Sequence, residues 1–120
     1  MSDFTANIHR LGYSATTPVY NVCTAADKFT ANPGKKYILH YKNAATPTGI
    51  LKVTDQVSAA AQPPGTTIAG GAYDFQVTAS LAASSEAMAQ IDAQRFRDST
   101  GAINMVNGTP TTLTVAIIEV

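Results

Sequence analysis

The sequence has few charged residues, and neither sign of charge predominates. Only 13% of its 120 residues are charged, and eight basic residues balance eight acidic ones, so the formal net charge is zero. A typical domain has about a quarter of its residues charged, and nucleic-acid binding normally depends on a concentrated positive field. The composition therefore argues against nucleic acid as a partner. Near-zero net charge in so weakly charged a chain favours association with other proteins.

Cysteine is scarce, tryptophan is absent, and long apolar runs are missing. Cys23 is the only cysteine, so an internal disulfide cannot form and nothing indicates an oxidising compartment. No stretch of 18 apolar residues occurs, so we expect no membrane-spanning helix and no membrane partner. The N-terminal residues 1–13 lack an apolar core behind basic residues, unlike a secretory signal, and we expect synthesis in a cytoplasm.

Residues that usually carry catalysis or hold metals do not form a recognisable set. His9 and His40 are far apart in the sequence and make no metal-binding motif. A thiolate pair of Cys23 with His40 is conceivable, but a lone cysteine in a strand more often acts as a small buried hydrophobic residue. Five carboxylates lie beside predicted turns or strand ends, where solvation and turn capping account for them: Asp55, Asp74, Glu86, Asp92 and Asp98. We predict no catalytic residue, no metal, no cofactor and no enzymatic activity.

Threonine, valine, isoleucine and tyrosine are well represented and favour β-strands. The clearest strand is residues 36–43, KYILHYKN, which follows the turn signal Asn32-Pro33-Gly34. Strict alternation predicts that three side chains point inward and that the others, His40 included, point to solvent. The inward set is Tyr37, Leu39 and Tyr41.

Further short strands are predicted along the rest of the chain, at 18–22, 50–57, 72–79 and 111–120, and residues 97–106 have Gly101 at a hairpin-like turn. We expect 36–43 and 50–57 to form a hairpin, and Tyr73, Phe75 and Val77 to point inward. Both faces of 111–120 are apolar, which suits a central strand or one covered by a partner subunit. Residues 58–71 are predicted to form a loop, with a strand fragment at 67–68. Residues 79–96 favour a helix on composition alone.

These elements predict an all-β protein: a single β-sandwich or jelly-roll-like domain over residues 19–120, with at most one short helix. Residues 1–18 show no sustained period and are predicted to form an extended N-terminal arm. Its scattered apolar residues also fit one or two amphipathic helical turns.

Two groups of residues are candidates for partner binding. One is the set of apolar side chains on the arm: Phe4, Ile8, Leu11 and Tyr13. The other is the pair Arg95 and Arg97, which would share a strand face and could meet a partner's carboxylates. Local pairing of these arginines with Asp92 or Asp98 is the alternative.

The order of these segments resembles a family of small bacteriophage virion proteins, the head decoration or cement proteins. The family's opening segment, D-x-F-x-N-x-G-K-x-x-L-x-V-K-N, is matched by Asp27, Phe29, Asn32, Gly34, Lys35, Leu39, Lys42 and Asn43. A later turn, P-x-x-Y/F-x-D-x-x-G, is matched by Phe96, Asp98 and Gly101, and the final VTVAVI strand by LTVAIIEV. The resemblance covers roughly residues 24–120. Tyr41 departs from it, since the family usually has a smaller β-branched residue there, and 58–96 is longer and richer in alanine.

The resemblance implies a sandwich on the outer surface of a capsid that joins neighbouring major capsid protein subunits. It also implies a homo-oligomer, dimer or trimer, on the assembled virion. Within the chain, it favours a strand over 86–92 and a helical turn near 93–96.

Two other functions remain open from the sequence. A tail or connector protein of the same fold is one. A carbohydrate-binding module is the other, with Tyr37, Tyr41 and Tyr73 as an exposed platform, although alternation predicts that these tyrosines are buried.

Overall fold

Two β-sheets make up most of the structure. The computed structural model describes residues 1–11, 17–55 and 74–120. Within this part of the chain the elements are β1 (Ser2–Asp3), a 3-10 turn (Thr5–Asn7), β2 (His9–Arg10), β3 (Asn21–Val22), β4 (Ala26–Thr30), β5 (Lys36–Asn43), β6 (Leu51–Val53), β7 (Phe75–Thr78), β8 (Ser85–Asp92), α1 (Ala93–Phe96), β9 (Ala102–Val106) and β10 (Leu113–Glu119). The predicted all-β sandwich with one short helix is confirmed.

The strands divide between a first sheet, in the order β1-β4-β9-β6-β7, and a second sheet, in the order β2-β10-β5-β8 with β3 also paired to β10. Side chains from both sheets meet in one apolar core. Its largest fully buried members are Tyr37, Tyr41, Phe29, Leu39, Leu51, Ile91, Ile103, Met105, Leu113, Ile117, Val53 and Val115. This core accounts for the alternation seen in the sequence, because each strand contributes every second side chain to it.

Strand β5 follows the predicted alternation over its whole length. Tyr37, Leu39 and Tyr41 are fully buried, whereas His40 and Lys42 lie on the opposite side. The predicted inward and outward faces of this strand are therefore confirmed.

Strand β10 is central in the second sheet. It pairs antiparallel with β5 through seven residues on one side, and with β2 and β3 on the other. Four of its seven residues, Leu113, Val115, Ala116 and Ile117, are almost fully buried. Of the two explanations for its apolar faces, the central position is the one that the structure shows.

The predicted hairpin between 36–43 and 50–57 is wrong. Strand β5 pairs with β8 and β10, whereas β6 pairs with β7 and β9 in the other sheet. The seven residues between β5 and β6 therefore cross from one sheet to the other. Alternation finds a strand but carries no information about which strand lies beside it.

The described part of the predicted arm packs against the rest of the domain. Strand β1 pairs in parallel with β4, and β2 pairs in parallel with β10, so the N-terminus contributes a short edge strand to each sheet. Between them, Phe4 and Ile8 enter the core, with exposed fractions of 5% and 8%. These two side chains serve the fold, which corrects the prediction that they bind a partner.

The segment 79–96 contains one long strand and one helical turn. Strand β8 covers Ser85–Asp92 and pairs with the full length of β5, and α1 is a single turn at Ala93–Phe96. The helix predicted from composition is wrong, because alternate residues such as Ala89 and Ile91 face the core and tertiary pairing overrides weak propensity. The strand and helical turn implied by the family resemblance are confirmed.

The predicted inward face of 72–79 is confirmed for two residues. Val77 packs against the core, and Phe75 lies opposite the buried Val53 with its ring 6.3 Å from that of Phe96, although Phe75 is 39% exposed on this edge strand. Tyr73, the predicted loop 58–71 and the strand fragment 67–68 lie outside the described residues.

Candidate functional site

The second sheet turns one face away from the core, and we call its outward side chains the outer face. Alternation and strand register place on it Lys36, Ile38, His40, Lys42, Glu86, Met88, Gln90, Asp92, Thr114, Ala116 and Ile118. In this register Lys42 lies between Thr114 and Glu86, and His40 lies between Ala116 and Met88. The outer face thus combines apolar and charged side chains on one regular, rigid surface.

His40 lies at the centre of a polar group on this face. Its Nδ1 is 2.9 Å from the Tyr20 hydroxyl, and its Nε2 is 3.1 Å from Glu86 Oε1. In the neutral ring these distances fit an Nε2–H that donates to Glu86 while Nδ1 accepts from Tyr20. The histidine does point outward as predicted. The expectation that it is simply solvated is wrong, since both ring nitrogens have protein partners.

Lys42 completes the group. Its Nζ lies 3.8 Å from Glu86 Oε1 and 4.3 Å from the centre of the Tyr20 ring. The charges of Lys42 and Glu86 therefore offset each other, and the lysine and His40 together hold Tyr20 against the sheet. The contacts among Tyr20, His40, Lys42 and Glu86 therefore fix these four side chains relative to one another on the outer face.

Exposed apolar side chains flank the polar group. Met88, directly beside His40, is 63% exposed, and Val22 on β3 is 72% exposed. Val120, which follows β10, is also exposed. Methionine and exposed aliphatic residues next to satisfied polar groups are typical of protein-binding surfaces.

An open cleft of about 510 Å³ lies where the β5–β8 and β10 ends meet, beside Lys42 and Glu86. Its walls include Asn43 and Thr112, and the Thr112 hydroxyl donates to Asn43 Oδ1 at 2.6 Å. The same hydroxyl accepts hydrogen bonds from the backbone amides of Ala45 and Thr46. These polar groups hold the β5–β6 connection in place.

Arg95 and Arg97 do not share a strand face, because Arg95 lies in α1 and Arg97 follows it. Arg95 forms an ion pair with Asp55, with Nη2 2.6 Å and Nε 2.8 Å from Oδ2. Arg97 Nε donates to the carbonyl of Ala31 at 3.0 Å. Both arginines tie separate segments of the domain together, so the prediction that they share one strand face is wrong, and their binding of a partner stays a prediction.

The two carboxylates considered as partners of these arginines have other roles. Asp92 caps α1, since its side chain accepts a hydrogen bond from the Gln94 amide at 2.9 Å. Asp98 organises the turn before β9, where it accepts from Thr100 and from the backbone of Ala102. These hydrogen bonds hold the pKa of Asp98 well below its usual range. The predicted turn-capping role is confirmed for both.

Two further residues complete the candidate partner-binding set. Leu11 is 62% exposed at the end of the described N-terminal segment, and its binding of a partner stays a prediction. Tyr13 lies outside the described residues.

Two buried carboxylates were missed at the level of sequence. Asp27 is fully buried and accepts hydrogen bonds from the Ser2 and Thr24 amides and from Asn107 Nδ2. It lies two residues before Phe29 on the same strand, and that spacing could have placed it on the inward face.

Glu119 is the second buried carboxylate. It accepts a hydrogen bond from the Tyr37 hydroxyl at 2.7 Å and another from Asn32 Nδ2 at 3.0 Å, and it pairs with Arg10 at 3.5 Å. It lies two residues after the buried Ile117 on the same strand, and that spacing could have placed it on the inward face. Burial, and to a smaller extent the hydrogen bond to Glu119, raises the pKa of Tyr37 to about 12.

Cys23 is buried, as expected of a small hydrophobic residue. Burial, with a smaller effect of Asp27, raises the pKa of its thiol to about 12, so the reactive thiolate is strongly disfavoured. A pair with His40 is ruled out by position, because Cys23 lies in the core and His40 on the outer face. The nearby Tyr41 hydroxyl is also buried, and it has no hydrogen-bond partner among the described residues.

Across residues 1–11, 17–55 and 74–120, no three histidine, cysteine, aspartate or glutamate side chains come together in a group that could hold a metal ion. None of the helices within these residues is both long enough and apolar enough to cross a membrane. Comparison with protein-family models, curated proteins and solved structures finds no match to this chain.

Proposed function

We propose that this chain is a structural virion protein that decorates and cements the outer surface of a bacteriophage capsid by bridging major capsid protein subunits. The observation that carries the proposal is the outer face. It is a rigid sheet surface on which exposed apolar side chains surround a polar group whose charges are already offset. The resemblance of residues 24–120 to the decoration family supplies the identity of the partner.

Cementing requires buried contact area distributed over several subunits more than it requires chemistry. Weak contacts made by many identical copies gain strength through multivalency. A zero net charge limits the repulsion between copies packed side by side on one particle. The fold fits this use, since a sandwich presents flat and repeatable surfaces.

The test is binding to undecorated heads assembled from the major capsid protein of the same genome. We expect the purified chain to sediment with the heads. Val22→Asp, which places a charge on an exposed aliphatic position of the second sheet, should weaken binding by about tenfold, as expected for loss of a central apolar contact. Ile50→Asp is the matched control, since Ile50 is also an exposed aliphatic residue, at 50%, but lies outside the second sheet. A chain that stays in the supernatant at every head concentration contradicts the proposal.

A tail or connector protein of the same fold is distinguished by copy number. A cement protein is present in hundreds of copies for each particle and a tail component in few. The ratio of the chain to the major capsid protein in purified virions decides between them. The carbohydrate-binding alternative loses its platform, because Tyr37 and Tyr41 are fully buried.

A further inference from the structure

One edge of the second sheet is formed by a long strand, β8. Strand β8 contains eight residues and pairs with β5 on one side. Of the residues that the structure describes, none pairs with its other side. The other edge strands in the described part of the chain are much shorter: β1, β2 and β3 have two residues each, and β7 has four.

Along β8, the backbone N–H and C=O groups of successive residues point alternately toward β5 and toward this edge. The Ala93 amide donates to the Lys35 carbonyl at 3.0 Å, while Lys36 lies opposite Asp92. In an antiparallel ladder this makes Lys36–Asp92 a pair that does not exchange hydrogen bonds, and the pattern alternates along the strand. The N–H and C=O groups of Glu86, Met88 and Gln90 therefore point away from β5, toward the free edge.

The middle of β8 has no proline and no charged residue, which are two of the features that usually prevent edge strands from pairing. Strand β8 reads SEAMAQID, with no proline and with its two charges near the ends, at Glu86 and Asp92. Natural edge strands are normally shortened, bulged, charged in the middle or interrupted by proline. An uncharged central segment with exposed Met88 is instead suited to accept another strand.

We propose that the free edge of β8 pairs antiparallel with β8 of a second copy of this chain, joining two second sheets into one continuous sheet. The contact is isologous, with a two-fold axis at Met88, so that Met88 lies opposite Met88 and Glu86 lies opposite Gln90. It deepens the proposed function by naming one partner, but it concerns the isolated chain and does not depend on capsid binding.

The register of the proposed pairing follows from the direction of the backbone groups and from the charges of the side chains that face each other. Residues whose backbone groups point outward must face one another, which restricts the pairing to even-numbered partners. Two such registers overlap over seven residues. One centres on Met88, and the other centres on Ala89 and would place Glu86 opposite Asp92 twice across the axis. Like charges directly opposite are destabilising, so the register centred on Met88 is favoured.

Analytical ultracentrifugation of the isolated chain tests the pairing. The average mass should rise with concentration from 12.5 kDa toward twice that value. A mass that stays at 12.5 kDa throughout overturns self-pairing, and so does a trimer, because an isologous edge contact closes at two copies. A monomer whose β8 edge becomes protected only on heads would show that a strand of another protein is the occupant, which also overturns the proposal.

Charge variants at Gln90 test the register. Gln90→Lys places a positive charge opposite Glu86 of the second copy, and Gln90→Glu places a negative charge there, each occurring twice by symmetry. We expect a dimer dissociation constant about tenfold lower for the lysine variant than for the glutamate variant. Ser99→Lys and Ser99→Glu, at an exposed turn residue outside both sheets, are the matched controls and should not differ. Equal constants for the two Gln90 variants overturn the register centred on Met88.

Met88→Pro tests the backbone contact itself. Proline removes the outward N–H of Met88 and leaves the ladder to β5 intact, which is the position where an edge strand tolerates proline. The variant should be monomeric. Met88→Lys, which places two lysines against each other at the axis, should also be monomeric and does not depend on how the strand accommodates proline. Dimers that persist in both variants overturn the proposal.

Discussion

The two edges of the second sheet differ in the strands that lie beside them. On the β10 side, two short strands from the N-terminal part of the chain, β2 and β3, cover the central strand. There Glu119 joins Arg10 of β2 to Tyr37 of β5. On the other side β8 ends the sheet over eight residues with no partner strand among the described residues. The chain thus anchors one edge with its own N-terminus, whereas no described residue pairs with the opposite edge.

This difference separates residues that hold the fold from residues that can serve assembly. Near the anchored edge, Phe4 and Ile8 of the N-terminal segment are buried in the core. At the β8 edge, Met88 remains exposed and backbone groups point outward. Substitutions of the buried Phe4 and of the exposed Met88 should therefore affect different measurements, stability for Phe4 and association for Met88.

The largest expected effect on stability is at the anchored edge. Phe4→Ala removes a buried aromatic side chain and should lower the free energy of unfolding by about 3–5 kcal/mol. Leu11→Ala, which changes an apolar but exposed residue of the same segment, should stay within about 0.5 kcal/mol. Urea unfolding followed by circular dichroism measures both. Similar values for the two variants would show that the N-terminal segment is not part of the core.

The next effect tests the network that fastens β2. Tyr37→Phe removes the hydrogen bond to Glu119 and the one accepted from the Asn32 amide, and should cost about 1–3 kcal/mol. Tyr41→Phe is the matched control, since the Tyr41 hydroxyl is buried without a partner among the described residues. Its removal should leave stability unchanged or raise it by up to about 1 kcal/mol. The opposite order would contradict the assigned network.

The same network predicts a loss of stability in alkali. The pKa of Tyr37 is raised from 10 to about 12 in the folded chain, so the folded state holds this proton more tightly than the unfolded state. The resulting stability is present below about pH 10 and is lost as the pH rises toward 12. Unfolding measured over this range should be less pH-dependent in Tyr37→Phe than in the unchanged chain. An equally steep decline in both would exclude Tyr37 as a source.

A smaller effect is expected at the turn that leads from α1 to β9. Asp98 accepts hydrogen bonds there, and Asp98→Asn should cost about 1 kcal/mol because the half-exposed carboxylate is screened by solvent. Its lowered pKa means that this stability is complete above about pH 4 and is lost as the pH falls below the usual 3.8. The difference between the two proteins should therefore shrink in acid. A difference that is constant down to low pH would contradict the assignment.

The smallest effect on stability is expected at the free edge. Met88→Ala should change the free energy of unfolding of the monomer by no more than about 0.5 kcal/mol, because the side chain is largely exposed. Dilute protein must be used, since association would add stability through mass action. A loss comparable to that of Phe4→Ala would mean that Met88 belongs to the core.

The sequence predicts the content of this fold better than its connections. Alternation alone places Tyr37, Leu39 and Tyr41 in the core, and the apolar faces of 111–120 indicate a central strand. Pairing between distant strands leaves no such local signal, so the crossover between β5 and β6 was mistaken for a hairpin. The alanine-rich β8 was mistaken for a helix because its small inward residues make a weak alternating pattern.

The candidate site was harder to predict than the fold. The polar group around His40 depends on Tyr20, Lys42 and Glu86, which come together only when β5 pairs with β8 and Tyr20 lies over the outer face. Sequence spacing brings Lys42 near His40 but gives no reason to include the other two. The free edge of β8 likewise becomes visible only when the order of the strands is known.

Hydrogen exchange along β8, followed by NMR at increasing protein concentration, tests the self-pairing most directly. In dilute protein the amides of Ala87, Ala89 and Ile91, which bond to β5, should exchange slowly, and those of Met88 and Gln90 should exchange quickly. As the dimer forms, Met88 and Gln90 should become protected, while an exposed amide such as that of Ser99 stays fast. Fast exchange at Met88 and Gln90 at every concentration would contradict the pairing.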